Sequence, residues 1–290
     1  MSPRSGIHVA LLAVIASAFT ACVPASYEVR HSGYATKIVE GKREVLAEKW
    51  QHRKIRGEGA LDYANNRTYI VIKGDTKVRL SKFSQSQKVT KGEFNVEAKS
   101  AFDVGSVVAV SHDGYFLTAA HCVGDSPLTV VLFGSKMKPI TSSARVVWRG
   151  GNGEPDIALI HAPVKPYAYF PMLPMEEIHA GTPIFTSGMG GGTQSKSAGE
   201  ILRVKPPRSL SSGSRWVEFS HDAPLLQGDS GGPVVDADGF FMGLNSTGGI
   251  QYIPMIGHPW IRSYTSTSFC PDSDWIRSLI REDRKKHGGG

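Results

Sequence analysis

The 290-residue sequence predicts an all-β fold, an antiparallel barrel or sandwich followed by one C-terminal helix. Three observations lead there. The 32 Gly and 17 Pro residues amount to about 17% of the chain, against a usual figure near 12%, so turns are frequent. Short runs of β-branched and aromatic residues recur between those turn residues. No clear helix falls between the runs, which argues against the alternating units of a doubly wound α/β sheet.

Residues 1–21 read as an export leader. Arg4 supplies positive charge, and Val9 to Phe19 is an uninterrupted run of apolar or small residues, too short to span a bilayer. Ala16-Ser17-Ala18 and Val23-Pro24-Ala25 both suit ordinary signal peptidase, whereas Phe19-Thr20-Ala21-Cys22 resembles a bacterial lipobox. That resemblance implies a lipid anchor at Cys22 and attachment to a membrane.

Residues 22–99 form a basic lead segment. Between 42 and 99 there are 14 Lys and Arg against 7 Asp and Glu, while residues 100–290 carry 16 against 17. Such a stretch is either attracted to an anionic envelope surface or is an ordinary solvated face. Export and the lack of any nucleic-acid motif disfavour nucleic acid as a partner.

Tyr69 to Ile72, a turn at Gly74-Asp75, and Val78 and Leu80 alternating with Lys77 and Arg79 predict a hairpin over 68–83. Val104 to Val110 and Tyr115 to Thr118 predict another, because Asp113-Gly114 supplies the positive φ angles of a tight turn. Further strands are expected at Leu128 to Phe133, Ala144 to Trp148, Ile157 to His161, Pro183 to Thr186, Trp216 to Phe219, Gly232 to Val235 and Phe240 to Asn245. The helix follows. Trp275, Ile276, Leu279 and Ile280 make its apolar stripe behind a cap at Asp272, Ser273 or Asp274, and Arg281, Lys285 and Lys286 suit its C-terminal end.

Three segments carry chemistry. Thr118-Ala119-Ala120-His121-Cys122 ends one strand, Asp156-Ile157-Ala158-Leu159 opens another, and Gly228-Asp229-Ser230-Gly231-Gly232-Pro233 lies in a glycine-rich loop. A serine hydroxyl becomes a useful nucleophile when an imidazole takes its proton, and that imidazole needs a carboxylate to fix its tautomer and stabilise its cation. Ser230, His121 and Asp156 fit those roles. The amides of Gly228 and Ser230 could converge on a tetrahedral oxyanion. Cys22, Cys122 and Cys270 are too dispersed for a zinc cluster, so no metal site is expected.

In the order His, Asp, Ser, these segments resemble the trypsin-like, chymotrypsin-fold serine peptidases over roughly residues 100–290. The resemblance implies two packed six-stranded antiparallel β-barrels with the triad between them, a C-terminal helix, and no organic cofactor. It also implies protein or peptide substrates cleaved through an acyl-enzyme at Ser230. Ser187-Gly188-Met189-Gly190 resembles the loop before the second barrel, and Gly243 to Gly248 the strand lining the specificity pocket. Pro224, six residues before Ser230, would sit at the pocket base, with Ser246 and Gly248 on its wall. A substrate cation buried there would lack a partner, so cleavage after small or medium uncharged residues is expected.

Gly228-x-Ser230-x-Gly232 also satisfies the nucleophile elbow of esterases, which requires a helix after the serine. Pro233 to Val235, a turn at 236–239 and Phe240-Phe241 predict a hairpin instead. The sparse cysteines and the Gly114 to Thr118 approach to His121 resemble bacterial envelope members, including the HtrA type. Ile38-Val39-Glu40-Gly41 resembles a zymogen activation site, whose freed amine would pair with the aspartate before the nucleophile. His121 follows 83 residues later, too far for that role unless residues 42–99 are an insertion; a coincidental match is favoured, so Asp229 is expected to have an internal donor. Cys122 and Cys270 could pair only with Cα atoms within about 7 Å. The alternative in another functional class is an inactive protease-fold binding module of the envelope.

Overall fold

The computed structural model describes residues 26–34, 57–85, 89–98, 101–134, 137–166, 169–170, 172–189, 194–253 and 261–287. The first barrel closes in the order β2 (Thr68–Lys73), β5 (Asp103–Ala109), β6 (Tyr115–Thr118), β9 (Ala158–His161), β8 (Met137–Arg149) and β7 (Leu128–Gly134), all antiparallel. Its interior is packed with Ile70, Ile72, Val107, Phe116, Val130 and Ile160. The β5–β6 turn is the tight one expected, with Gly114 at φ +91°.

The second barrel runs β11 (Ser195–Val204), β10 (Pro183–Gly188), β14 (Pro233–Val235), β15 (Phe241–Ile253), β16 (Ile261–Pro271) and β13 (Arg215–His221). Pairing of β11 with β13 closes it, and β12 (Arg208–Ser209) hangs on β13. Ile184, Ile201, Val217, Phe219, Val234 and Met242 fill its interior. Closure removes the exposed edges that an open sheet would leave.

Helix α2 (Ser273–His287) starts where Asp272 Oδ1 accepts a bond from Trp275 N at 2.8 Å, so Asp272 is its cap. Although α2 follows the second barrel, it docks on the first. Trp275 meets Trp148 edge to face at 4.7 Å, Arg145 forks onto Asp283 at 2.7 and 2.5 Å, and Tyr115 Oη donates to Asp283 at 2.8 Å. A further apolar cluster joins the two barrels and both helices, with Leu117, Leu159, Trp216, Phe241, Tyr63 and Ile276 among its members.

Three expectations are corrected. The stretch 68–83 is not a hairpin: β2 pairs with β5 and β7, whereas β3 (Thr76–Gln85) pairs with β4 (Val89–Ala98), which in turn pairs with β1 (Ser26–Tyr34). Gly74 N instead donates to Pro127 O, turning the chain from the barrel into that three-stranded sheet. The barrel domain therefore begins before residue 100, because the uniformly buried run Tyr69 to Ile72 supplies a barrel strand. Finally, α1 (Gly57–Asn65) was not expected. Its Ala60, Tyr63 and Ala64 fall at helical spacing and are buried where the helix packs on β10, β11 and β14. Residues 1–21, Cys22 and the Ile38 to Gly41 segment lie outside the described residues.

Candidate active site

Each expected catalytic residue sits at the end of a rigid element. His121 lies on a single 3-10 turn, Ala120–Cys122, just after β6, and Arg149 Nε fixes that turn by donating to Ala120 O at 3.0 Å. Asp156 lies two residues before β9 and accepts twice from His121, from Nδ1 at 2.7 Å and from the main-chain N at 3.0 Å. This bidentate grip sets both the ring's orientation and its tautomer, leaving Nε2 as the basic edge.

Ser230 is brought to the same place by the β13–β14 loop. Its hydroxyl donates to Ser246 O at 3.0 Å. A hydroxyl has one proton to give, so Ser230 is not donating to His121 in this arrangement. Ser246 meanwhile donates its own hydroxyl to Asp156 Oδ2 at 2.5 Å. It can do both because the β15–β16 register slips between Asn245 and Thr247, leaving Ser246 as the bulged residue, freed from the ladder.

The Asp156 contact pushes the His121 imidazole up to about 10 from its usual 6.5, and Cys122 adds to the rise. Burial works to raise the Asp156 carboxyl, yet its bonds to His121 and Ser246 bring it below the ordinary carboxylate range. Asp156 thus stabilises the imidazolium that forms when His121 takes up a proton. A cleft of about 500 Å³ opens beside it, bounded by His121, Asp156 and the 149–155 loop.

The loop carrying Ser230 is tightly determined. Gly228 adopts φ +102°, a conformation that side chains disfavour. A Cβ on Gly231 would come within 2.1 Å of Ser106 O and 2.3 Å of Thr118 Oγ1, so that glycine is required by the approach of the first barrel. Among the described residues nothing accepts from the amides of Gly228 and Ser230, the two expected to face an oxyanion. Asp229, only 3% exposed, takes Leu226 N at 2.8 Å and the Ser195 hydroxyl, internal donors of the expected kind.

The pocket residues divide. Ser246 turns its hydroxyl to Asp156 and away from a lining role. Pro224 is held by Ser197 Oγ on its carbonyl at 2.8 Å. Gly248 lies against Leu225, whose Cβ would be 2.9 Å from a Cβ added there. Cys122 and Cys270 are both free and buried: Cys122 Sγ lies 3.7 Å from Ser230 O, while Cys270 sits in β16 of the other barrel. Sequence reasoning missed Arg149, Ser195 and Ser106, whose roles depend on contacts between strands far apart in the chain.

Residues 105–244 match a family model described as "Trypsin-like peptidase domain". A curated relative, the "Probable periplasmic serine endoprotease DegP-like" of Pseudomonas fulva (strain 12-X), is 26% identical over 196 residues, 64% of this chain and 40% of the relative. The chain therefore spans about two fifths of that relative's length. Among solved structures, a variant of the HtrA-type protease AlgW with tripeptide superposes with a TM-score of 0.51 at 17% identity, covering 80% of this chain and 64% of the other. The same protease with decapeptide gives 0.49 at 19% identity, over 79% and 67%.

Proposed function

We propose, from the match of residues 105–244 to the trypsin-like peptidase family model, that the chain is an exported serine endopeptidase working through an acyl-enzyme on Ser230. The observation that carries this reading is the linked set His121, Asp156, Ser246 and Ser230, joined by bonds of 2.7, 2.5 and 3.0 Å. Rotation of the Ser230 hydroxyl from Ser246 O toward His121 Nε2 would complete the nucleophile–base pair. His121, held by Asp156, would then take the proton as Oγ attacks the carbonyl and return it to the leaving amine. The amides of Gly228 and Ser230 would stabilise the negative oxygen.

Substrates would be proteins or peptides, cut after small or medium uncharged residues. Pro224 offers no charge at the pocket base, and Gly248, packed against Leu225, would form part of its wall. The periplasmic description of the curated relative favours an envelope location, to which the leader and a lipidated Cys22 would deliver the chain. No metal or organic cofactor enters this chemistry.

The test is fluorophosphonate labelling and casein hydrolysis by the wild type and by Ser230→Ala. Loss of both signals in a folded variant is expected. Undiminished hydrolysis by Ser230→Ala would remove the assignment, and a wild type that neither labels nor hydrolyses would make the chain an inactive binding module.

A further inference from the structure

The loop that presents Gly228 and Ser230 belongs to the second barrel, yet it is held by a residue of the first. Ser106, on β5, is completely buried. Its hydroxyl donates to Gly228 O at 2.8 Å and accepts from Met189 N at 3.0 Å. Met189 N–H can only donate, so the single hydroxyl proton is left for the Gly228 carbonyl, which can only accept. The Ser106 main chain reaches the same loop, its N donating to Ser230 O at 2.8 Å, and its carbonyl is fixed by Thr118 Oγ1 at 2.7 Å.

The chemical consequence lies in one peptide plane. The Gly228–Asp229 unit is rigid and planar, and it stands between the two amides that must converge on an oxyanion. Its carbonyl is pinned by Ser106 Oγ, and its N–H by Leu226 O at 3.0 Å. Gly228 itself offers little resistance to rotation, since glycine populates both signs of φ with similar ease. Without an anchor at the carbonyl Gly228 could change φ and ψ, and its amide, which lies in the preceding Gln227–Gly228 peptide, could turn out of line relative to that of Ser230. We propose that Ser106 is a positioning residue: its hydroxyl fixes the Gly228–Asp229 peptide and thereby preorganises the oxyanion donors across the interface between the barrels. This rests on the peptidase reading above. Ser106 touches no reacting atom and acts through Gly228.

The experiment compares wild type, Ser106→Ala and Ser106→Cys on labelled casein, with active sites counted by fluorophosphonate titration and with a peptide boronate as the tetrahedral probe. Deleting an oxyanion donor outright typically costs about 100- to 1,000-fold in kcat, so loss of a positioning bond should cost about 10- to 100-fold per titrated site. KM should stay within about twofold, and the boronate inhibition constant should rise by the same factor as kcat falls. Ser106→Cys, which keeps the volume with a weaker donor, should fall between the two. A purely structural serine would lower the melting temperature or the count of active sites while leaving kcat per site and boronate affinity unchanged, and that result would overturn the proposal. A wild type inert to both fluorophosphonate and casein would overturn the peptidase reading itself, and this inference with it.

Discussion

At the scale of single residues, the His121–Asp156 contact determines how much imidazole is free to act as a base. A raised imidazole pKa means that the ring keeps its proton as pH climbs past 6.5, so the base form accumulates only toward the alkaline side. Activity of the wild type should therefore rise from pH 7 toward about 10. In Asp156→Asn the acid limb should move down toward the ordinary 6.5. The plateau should fall by about 1,000- to 10,000-fold, as the ring loses its enforced tautomer. A pH–rate profile whose limb stays in place would show that Asp156 does not govern the proton on His121. His121, Asp156 and Ser230, which the structure links through Ser246, could be singled out in the sequence because each has a local signature at a strand end or in a glycine-rich turn. Ser246 was legible only as a position, since its hydroxyl reaches Asp156 through a bulge that no local pattern announces.

At the scale of elements, α2 is the clearest case of sequence and packing agreeing. Its stripe of Trp275, Ile276 and Ile280 is buried as the spacing requires. Its attachment was not legible, because Asp283 finds Arg145 and Tyr115 in strands 138 and 168 residues away. Arg145 holds the Asp283 carboxyl down to about 2, against the pull of burial. Breaking a well-buried ion pair usually costs about 3 to 5 kcal/mol, and the partial exposure of Arg145 reduces this to about 1 to 3 kcal/mol. Asp283→Asn should lower the unfolding free energy by that amount at neutral pH, measured by urea denaturation, and a change under a few tenths would mean that the helix is held by its apolar stripe alone. Other elements escaped for the opposite reason. β11 alternates exposed Lys and Glu with half-buried Ser, and β16 buries Ser266 and Ser268, so neither shows the apolar rhythm of a strand. The β2–β3 pattern was read correctly as two strands, but pairing is a tertiary decision: β2 finds β5 and β7, burying Tyr69 to Ile72 more completely than a hairpin with the charged β3 could.

At the scale of the whole molecule, two histidines with opposite shifts shape stability against pH. His221 is completely buried in the second barrel, with Nε2 3.0 Å from Ser268 Oγ, and burial depresses its pKa to about 4. Above 6.5 it is neutral in both folded and unfolded chains and costs nothing. As pH falls from 6.5 toward 4 the unfolded chain takes up a proton that the folded chain refuses, so stability is lost in that window. A depression from 6.5 to about 4 corresponds to a loss of about 3 kcal/mol. His121 works in the other direction, since its folded pKa lies above the unfolded one. Its contribution is fully present below 6.5 and is lost as pH rises through about 10, though half-exposure of the ring weakens it. The two together place maximal stability near pH 6.5 to 7, with the barrels unfolding as one unit because the apolar cluster between them is shared. Urea denaturation of the wild type should show a fall in unfolding free energy between pH 6.5 and 4. His221→Gln, which keeps a polar group facing Ser268 but cannot take up a proton in this range, should flatten that fall while leaving the decline above pH 7 intact. An acid limb between pH 6.5 and 4 that is equally steep in wild type and variant would show that His221 does not carry the loss, and Asp283 could not carry it either, since its window lies lower, between about 4 and 2.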